Sequence, residues 1–137
     1  MYYEASPDIG TTFTGSYRCD PIVPSVARRE LKAWLRGRTG PGENIDDAIL
    51  VISELVTNAV IHAKTAASVV VEMAQTEIAV AVHDGSQALP ALIPFSGERA
   101  GGVGLRVVDA LTREWGWTSA ASGKKVWAVL DRHKSTD

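Results

Sequence analysis

Ser53-Glu54-Leu55-Val56-Thr57-Asn58-Ala59-Val60-Ile61-His62-Ala63 is the stretch that decides how this chain is read. With the residues before it, it sets Ile45, Ala48, Ile49, Ile52, Leu55, Val56, Ala59 and Ala63 on one helical face. Asn44 stands at the cap position, and Asp46 and Asp47 suit the positive N-terminal end. The pattern predicts a helix running to about His62 or Ala63. Glu54 and Asn58, four positions apart, share a second face almost opposite Ile52. An amide oxygen there can join a Mg²⁺ shell, and a carboxylate can take a proton from a nearby water or hydroxyl. Taken alone, the pair is more often just a solvated helix face.

Ahead of this helix, Pro24 suits a first helical turn, and Val26, Leu31, Trp34 and Leu35 recur at helical spacing until Gly37 and Gly40-Pro41-Gly42 stop the pattern. Residues 1–17 are read as an arm or edge strand, with strands around Thr11–Phe13 and Ser16–Cys19. Beyond the helix the period becomes two or continuous. Strands are predicted at Ser68–Ala74 and Ile78–His83, joined at Gln75-Thr76-Glu77. Residues 84–101 form a long irregular stretch, and loops of that length are functional or mobile. Gly102-Val103-Gly104 then opens a helix from Leu105 to about Arg113. A hairpin, Trp115–Ala120 and Lys124–Leu130, turns at Ser122-Gly123, and residues 131–137 are expected to fray. Hairpin-linked strands beside helices predict an α+β fold, a two-layer sandwich of a mixed, mostly antiparallel sheet with helices on one face, built as a single domain over 1–137.

Composition narrows the function. The chain has 137 residues, 45% hydrophobic and 22% charged, which suits one packed domain. A net charge of −2 supplies no overall basic surface for nucleic acid. The single Cys19 excludes an intrachain disulfide framework and a multi-cysteine zinc site, and three scattered histidines make no ligand cluster. His62 is better placed to cap carbonyls than to bind metal. Trp115, Trp117 and Trp127 sit at strand spacing as core or sheet-face residues. No leader and no apolar run of membrane-spanning length is visible, so a cytoplasmic location is expected.

Two further groups could carry chemistry. His83-Asp84-Gly85 ends an apolar strand; the Asp can accept from an exocyclic amine, and the Gly lets a ligand approach the backbone. The plainer explanation is a turn. Gly101-Gly102-Val103-Gly104-Leu105 leads into a helix whose free N–H groups suit phosphate. A hinge is the plainer explanation there. A dinucleotide fingerprint would need Gly where Val107 stands, with a βαβ unit around it, and is rejected.

In order and spacing, the three groups together resemble the GHKL ATPase superfamily, and most closely its small bacterial anti-sigma-factor serine/threonine kinases. Ser53–Ala63 looks like the N box, His83-Asp84-Gly85-Ser86 like the first glycine box, and Gly101–Leu105 like the second. Gly123-Lys124-Lys125-Val126-Trp127 resembles the last strand. Ser86 takes the place of the usual glycine, and Lys124 and Lys125 stand where a Thr near the adenine is usual.

The resemblance implies the Bergerat-type ATP-binding fold with ATP and Mg²⁺ as cofactors. It makes Glu54 the general base, Asn58 the Mg²⁺ ligand, and Asp84 the acceptor from the adenine amine, with Gly85 beside it. Gly102, Val103, Gly104 and Leu105 would offer backbone N–H groups to the phosphates, and residues 86–101 would form a lid. The implied partners are a sigma factor and an anti-anti-sigma antagonist protein, without direct contact to nucleic acid or membrane; the oligomeric state is open, a homodimer included. One alternative keeps the fold as a sigma-sequestering module with weak or no catalysis. Another is an acetyl-CoA-dependent N-acetyltransferase, whose pyrophosphate loop Arg99-Ala100-Gly101-Gly102-Val103-Gly104 would match. It needs a strand directly before that loop, where Pro90–Gly97 does not read as one, and it leaves Glu54 and Asn58 unexplained.

Overall fold

Period-two burial builds the sheet. The computed structural model describes residues 3–5, 12–86 and 100–134. Strands β1 (Tyr3–Ala5), β2 (Thr12–Tyr17), β3 (Ala67–Met73), β4 (Glu77–Asp84), β5 (Glu114–Ala120) and β6 (Gly123–Asp131) lie in the order β1-β2-β3-β4-β6-β5. Every pairing is antiparallel, so the mixed sheet expected from sequence is fully antiparallel over the described residues. Val69, Val71, Ile78, Val80, Val82, Val126, Ala128 and Leu130 point inward, with alternate residues on the outer face. Helices α1 (Val23–Arg36), α2 (Ile45–Thr57) and α3 (Ala100–Leu111) supply the other layer, through Leu31, Leu35, Val51, Ile52, Val56, Leu105 and Val108. This is the α+β two-layer arrangement read from sequence.

Several local expectations are corrected. Thr12–Tyr17 is one continuous strand, paired with the short β1, rather than separate pieces at Thr11–Phe13 and Ser16–Cys19. Gly15 does not break it: a Cβ there would lie 2.7 Å from the Tyr17 hydroxyl, so the glycine makes room for the Tyr17 ring. That hydroxyl donates to Glu30 at 2.7 Å; burial and then Glu30 raise its pKa, keeping it protonated. Asn44 does not cap α2 with its side chain; its Nδ2 donates to the Asp131 carbonyl at 3.1 Å. Of the tryptophans, Trp115 packs partly buried and donates to Asp109 at 2.9 Å, whereas Trp117 is exposed. Trp127 lies over Gly116 on the outer face, where a Cβ would come within 2.8 Å of the indole.

Residues 131–134, expected to fray, are laced into the fold, while 135–137 lie outside the described residues. His133 bridges to Glu43, the Asn44 N–H donates to the Arg132 carbonyl at 2.7 Å, and Arg132 pairs with Glu43 at 2.7 Å. Burial acts to raise the Glu43 pKa, but hydrogen bonds from Arg132 and the Gly40 N–H, with the Arg132 and His133 charges, outweigh it and hold the pKa below its ordinary 4.5. A depressed carboxylate pKa stabilises the fold above the unfolded value, and that contribution is lost as the pH falls through the folded one. Glu43→Gln should therefore lower Tm at neutral pH, with the gap to wild type closing below about pH 4 in an acid melting series.

Candidate functional site

The N-box helix does not stay α-helical to its end. At Asn58 it passes into a π turn, Asn58–His62, closed by the Ala63 N–H to the Asn58 carbonyl at 2.8 Å. Such turns inside helices recur at functional sites because the extra residue re-aims side chains. The predicted end is right, but the geometry of the last turn is not. Lys64 then takes a left-handed conformation (φ 60°) and the Thr65 N–H donates back to the Ala59 carbonyl at 3.1 Å, ending the helix as a glycine would. His62 is exposed, and among the described residues it caps no carbonyl.

Glu54 and Asn58 stay on a half-exposed face, and neither side chain has a hydrogen-bond partner among the described residues. Next to Glu54, Ser53 is buried and accepts from Arg28 Nη1 of α1 at 2.6 Å, which fixes the helix pair at the level of Glu54.

The helix end is tied to the end of β4. The Gly85 N–H donates to Thr65 Oγ1 at 3.2 Å, and Gly85 packs beside Thr65 and the Ser122 carbonyl. Gly123 runs so close to β4 that a Cβ would lie 1.9 Å from the Asp84 carbonyl oxygen; with φ at 144°, glycine is required there. These approaches bring Thr65, Asp84-Gly85-Ser86 and Ser122-Gly123-Lys124 together. A cavity of about 270 Å³ opens beside them, lined by His83, Asp84, Thr118, Ser119 and residues 122–125.

Asp84 lies at the inner end of β4, on the parity of Ile78, Val80 and Val82, with a side chain only 4% exposed. Its Oδ1 accepts the Ser86 N–H at 2.8 Å. Directly across the ladder, Lys124 reaches both carboxylate oxygens, at 3.1 and 3.0 Å. Lys124 was visible in the sequence as a departure from the family pattern, but not as the partner of Asp84. The signal was available: counting in twos from Val126 puts Lys124 on the buried face, where a lysine needs a carboxylate.

The glycine-rich segment lies inside α3 rather than before it. The helix begins at Ala100, so Gly102 is in the first turn, whose N–H groups have no intrahelical partner. Gly104 and Leu105 fall in the second turn, and the Leu105 side chain is buried in the core. α3 packs against α2 and the π turn. Most of the expected lid, and Pro90–Gly97 with Arg99, on which the acetyltransferase alternative turns, lie outside the described residues.

Residues 20–130 match the model of the histidine kinase-like ATPase domain. The chain belongs to that family. No curated protein matches it. Membership of the histidine kinase-like ATPase family implies ATP binding, usually with Mg²⁺, and supports a regulatory function. It displaces the acetyltransferase alternative. Among the described residues no helix is long and apolar enough to cross a membrane.

The donor set fits a magnesium nucleotide at its metal end. No group of three or more His, Cys, Asp or Glu among the described residues could hold a metal alone. Mg²⁺ typically takes only one or two protein ligands beside phosphates and water, a role open to Asn58, whose amide has no partner among the described residues. A nucleobase amine would need an acceptor such as Asp84, which Lys124 already engages.

Proposed function

We propose that this protein is an ATP-binding anti-sigma regulatory factor that captures a sigma factor and phosphorylates a Ser or Thr of an antagonist protein. The observation that carries the reading is the N-box face. Among the described residues Glu54 and Asn58 stand without a hydrogen-bond partner on one side of a helix whose π turn is tied through Thr65 to Gly85, next to Asp84. Bound ATP would supply the phosphoryl group. Asn58 would orient the metal, Asp84 the base, and Glu54 would accept the proton of the attacking hydroxyl. The first turn of α3, with Gly102, would face the phosphates, where Val103, Gly104 and Leu105 follow in the helix.

A second reading, a sequestering module with little turnover, is favoured by the hold of Lys124 on both Asp84 oxygens. One experiment separates the two. The protein is incubated with labelled ATP–Mg²⁺ and candidate sigma–antagonist pairs, and capture and transferred phosphate are both measured. The kinase reading expects label on the antagonist alone. Capture and ATP binding without transfer to any antagonist would select the sequestering module.

A further inference from the structure

The base-reading carboxylate of this site is not free. Asp84 and Lys124 are register partners at the inner end of β4 and β6, with side chains 4% and 8% exposed. A single ammonium serves both carboxylate oxygens, and Oδ1 also takes the Ser86 N–H. An incoming exocyclic amine would therefore meet an acceptor whose strongest partner, a charged donor, is already in place.

We propose that Lys124 is an internal competitor for the nucleobase, a latch on Asp84 that must withdraw before an adenine amine can be read. The proposal rests on the nucleotide reading above. The geometry gives the latch somewhere to go: Lys124 lines the 270 Å³ cavity together with Ser119 and Ser122, and a flexible four-carbon stem lets its ammonium turn out of the pair. Released, Asp84 keeps its bond from Ser86 and presents Oδ2. Lys124 thus sets affinity and base selectivity by holding the Asp84 carboxylate until it withdraws.

The test compares wild type with Lys124→Gln, which keeps a neutral donor for Asp84, and with Lys124→Arg, which keeps the charge and a two-pronged donor. Binding of ATP–Mg²⁺ and of purine riboside triphosphate–Mg²⁺, which lacks the exocyclic amine, is measured by calorimetry; Tm is measured without nucleotide. Lys124→Gln should bind ATP about ten-fold tighter or more, the worth of one charge-assisted hydrogen bond. Its preference for ATP over the purine analogue should be at least about ten-fold, against little preference in wild type. Its nucleotide-free Tm should fall, because a buried carboxylate loses its cation. Lys124→Arg should fold as wild type does and bind ATP no more tightly. Equal or weaker ATP binding by Lys124→Gln, or tighter binding by Lys124→Arg, overturns the latch while leaving the nucleotide reading standing. If wild type and both variants bind neither nucleotide, the nucleotide reading fails and the latch fails with it.

Discussion

Asp84→Leu is expected to cost the fold about 1–3 kcal/mol. That is less than the roughly 3–5 kcal/mol of a pair whose surviving charge stays trapped, because the Lys124 ammonium can turn toward the adjoining cavity. Two groups lose their acceptor together: the Lys124 ammonium, 8% exposed, and the Ser86 N–H. Asp84→Asn should cost less, since an amide oxygen can still accept from either group. The double variant Asp84→Leu/Lys124→Met should recover most of the loss, because well-packed apolar residues in place of both charges are often neutral or stabilising. Urea unfolding of Asp84→Leu, Lys124→Met and the double variant measures the coupling directly. Losses below about 1 kcal/mol in both single variants would mean that the surviving charge escapes to water through the cavity, and the pair would then carry no stability.

The elements of the fold were legible where burial follows a simple period. Val69, Val71, Ile78, Val80 and Val82 repeat in twos, and Ile45 to Ala59 repeat at helical spacing, so both layers could be placed from residue types alone. The expectations that failed concern groups satisfied by distant partners. Asn44 has the chemistry of a cap but donates 87 residues away, to the Asp131 carbonyl, and the same strand end holds residues 131–134 that composition marks as a frayed tail. The strand pieces at Thr11–Phe13 and Ser16–Cys19 join into one because Gly15 makes room for the Tyr17 ring, which nothing local in the sequence announces. The π turn at Asn58 was invisible because its sequence, Asn58-Ala59-Val60-Ile61-His62, continues the helical apolar pattern. Around the candidate site, type and spacing single out Glu54, Asn58 and Asp84 in the sequence, and the structure adds Thr65 and Lys124 as the residues tied to Gly85 and Asp84. Thr65 enters only through a hydrogen bond to Gly85. Lys124 is legible only through strand parity: two residues before the buried Val126, it falls on the inner face opposite Asp84.

Glu54→Ala should leave ATP–Mg²⁺ affinity nearly intact and reduce phosphoryl transfer by about 10²–10⁴-fold, the contribution of a positioned general base. The separation of binding from turnover follows from when each group acts. A base is needed as the attacking hydroxyl gives up its proton, so its loss is felt in the transition state and little in the ground state. Glu54 has the freedom for that role: it is half-exposed and without a hydrogen-bond partner among the described residues, while Ser53 beside it is pinned by Arg28 at 2.6 Å and keeps the backbone in place. Truncation therefore removes the carboxylate without opening a cavity in the core formed by Ile52, Leu55 and Val56. Asn58→Ala should behave differently and weaken Mg²⁺-dependent binding as well, because the amide would be a metal ligand in the bound ground state. Single-turnover transfer from labelled ATP to the antagonist, with affinity measured in parallel on the same variants, provides the comparison. Transfer that survives Glu54→Ala would remove Glu54 as the base. An equal loss of binding in both variants would instead make the shared face of Glu54 and Asn58 a metal-binding surface, with proton transfer left to the substrate or to water.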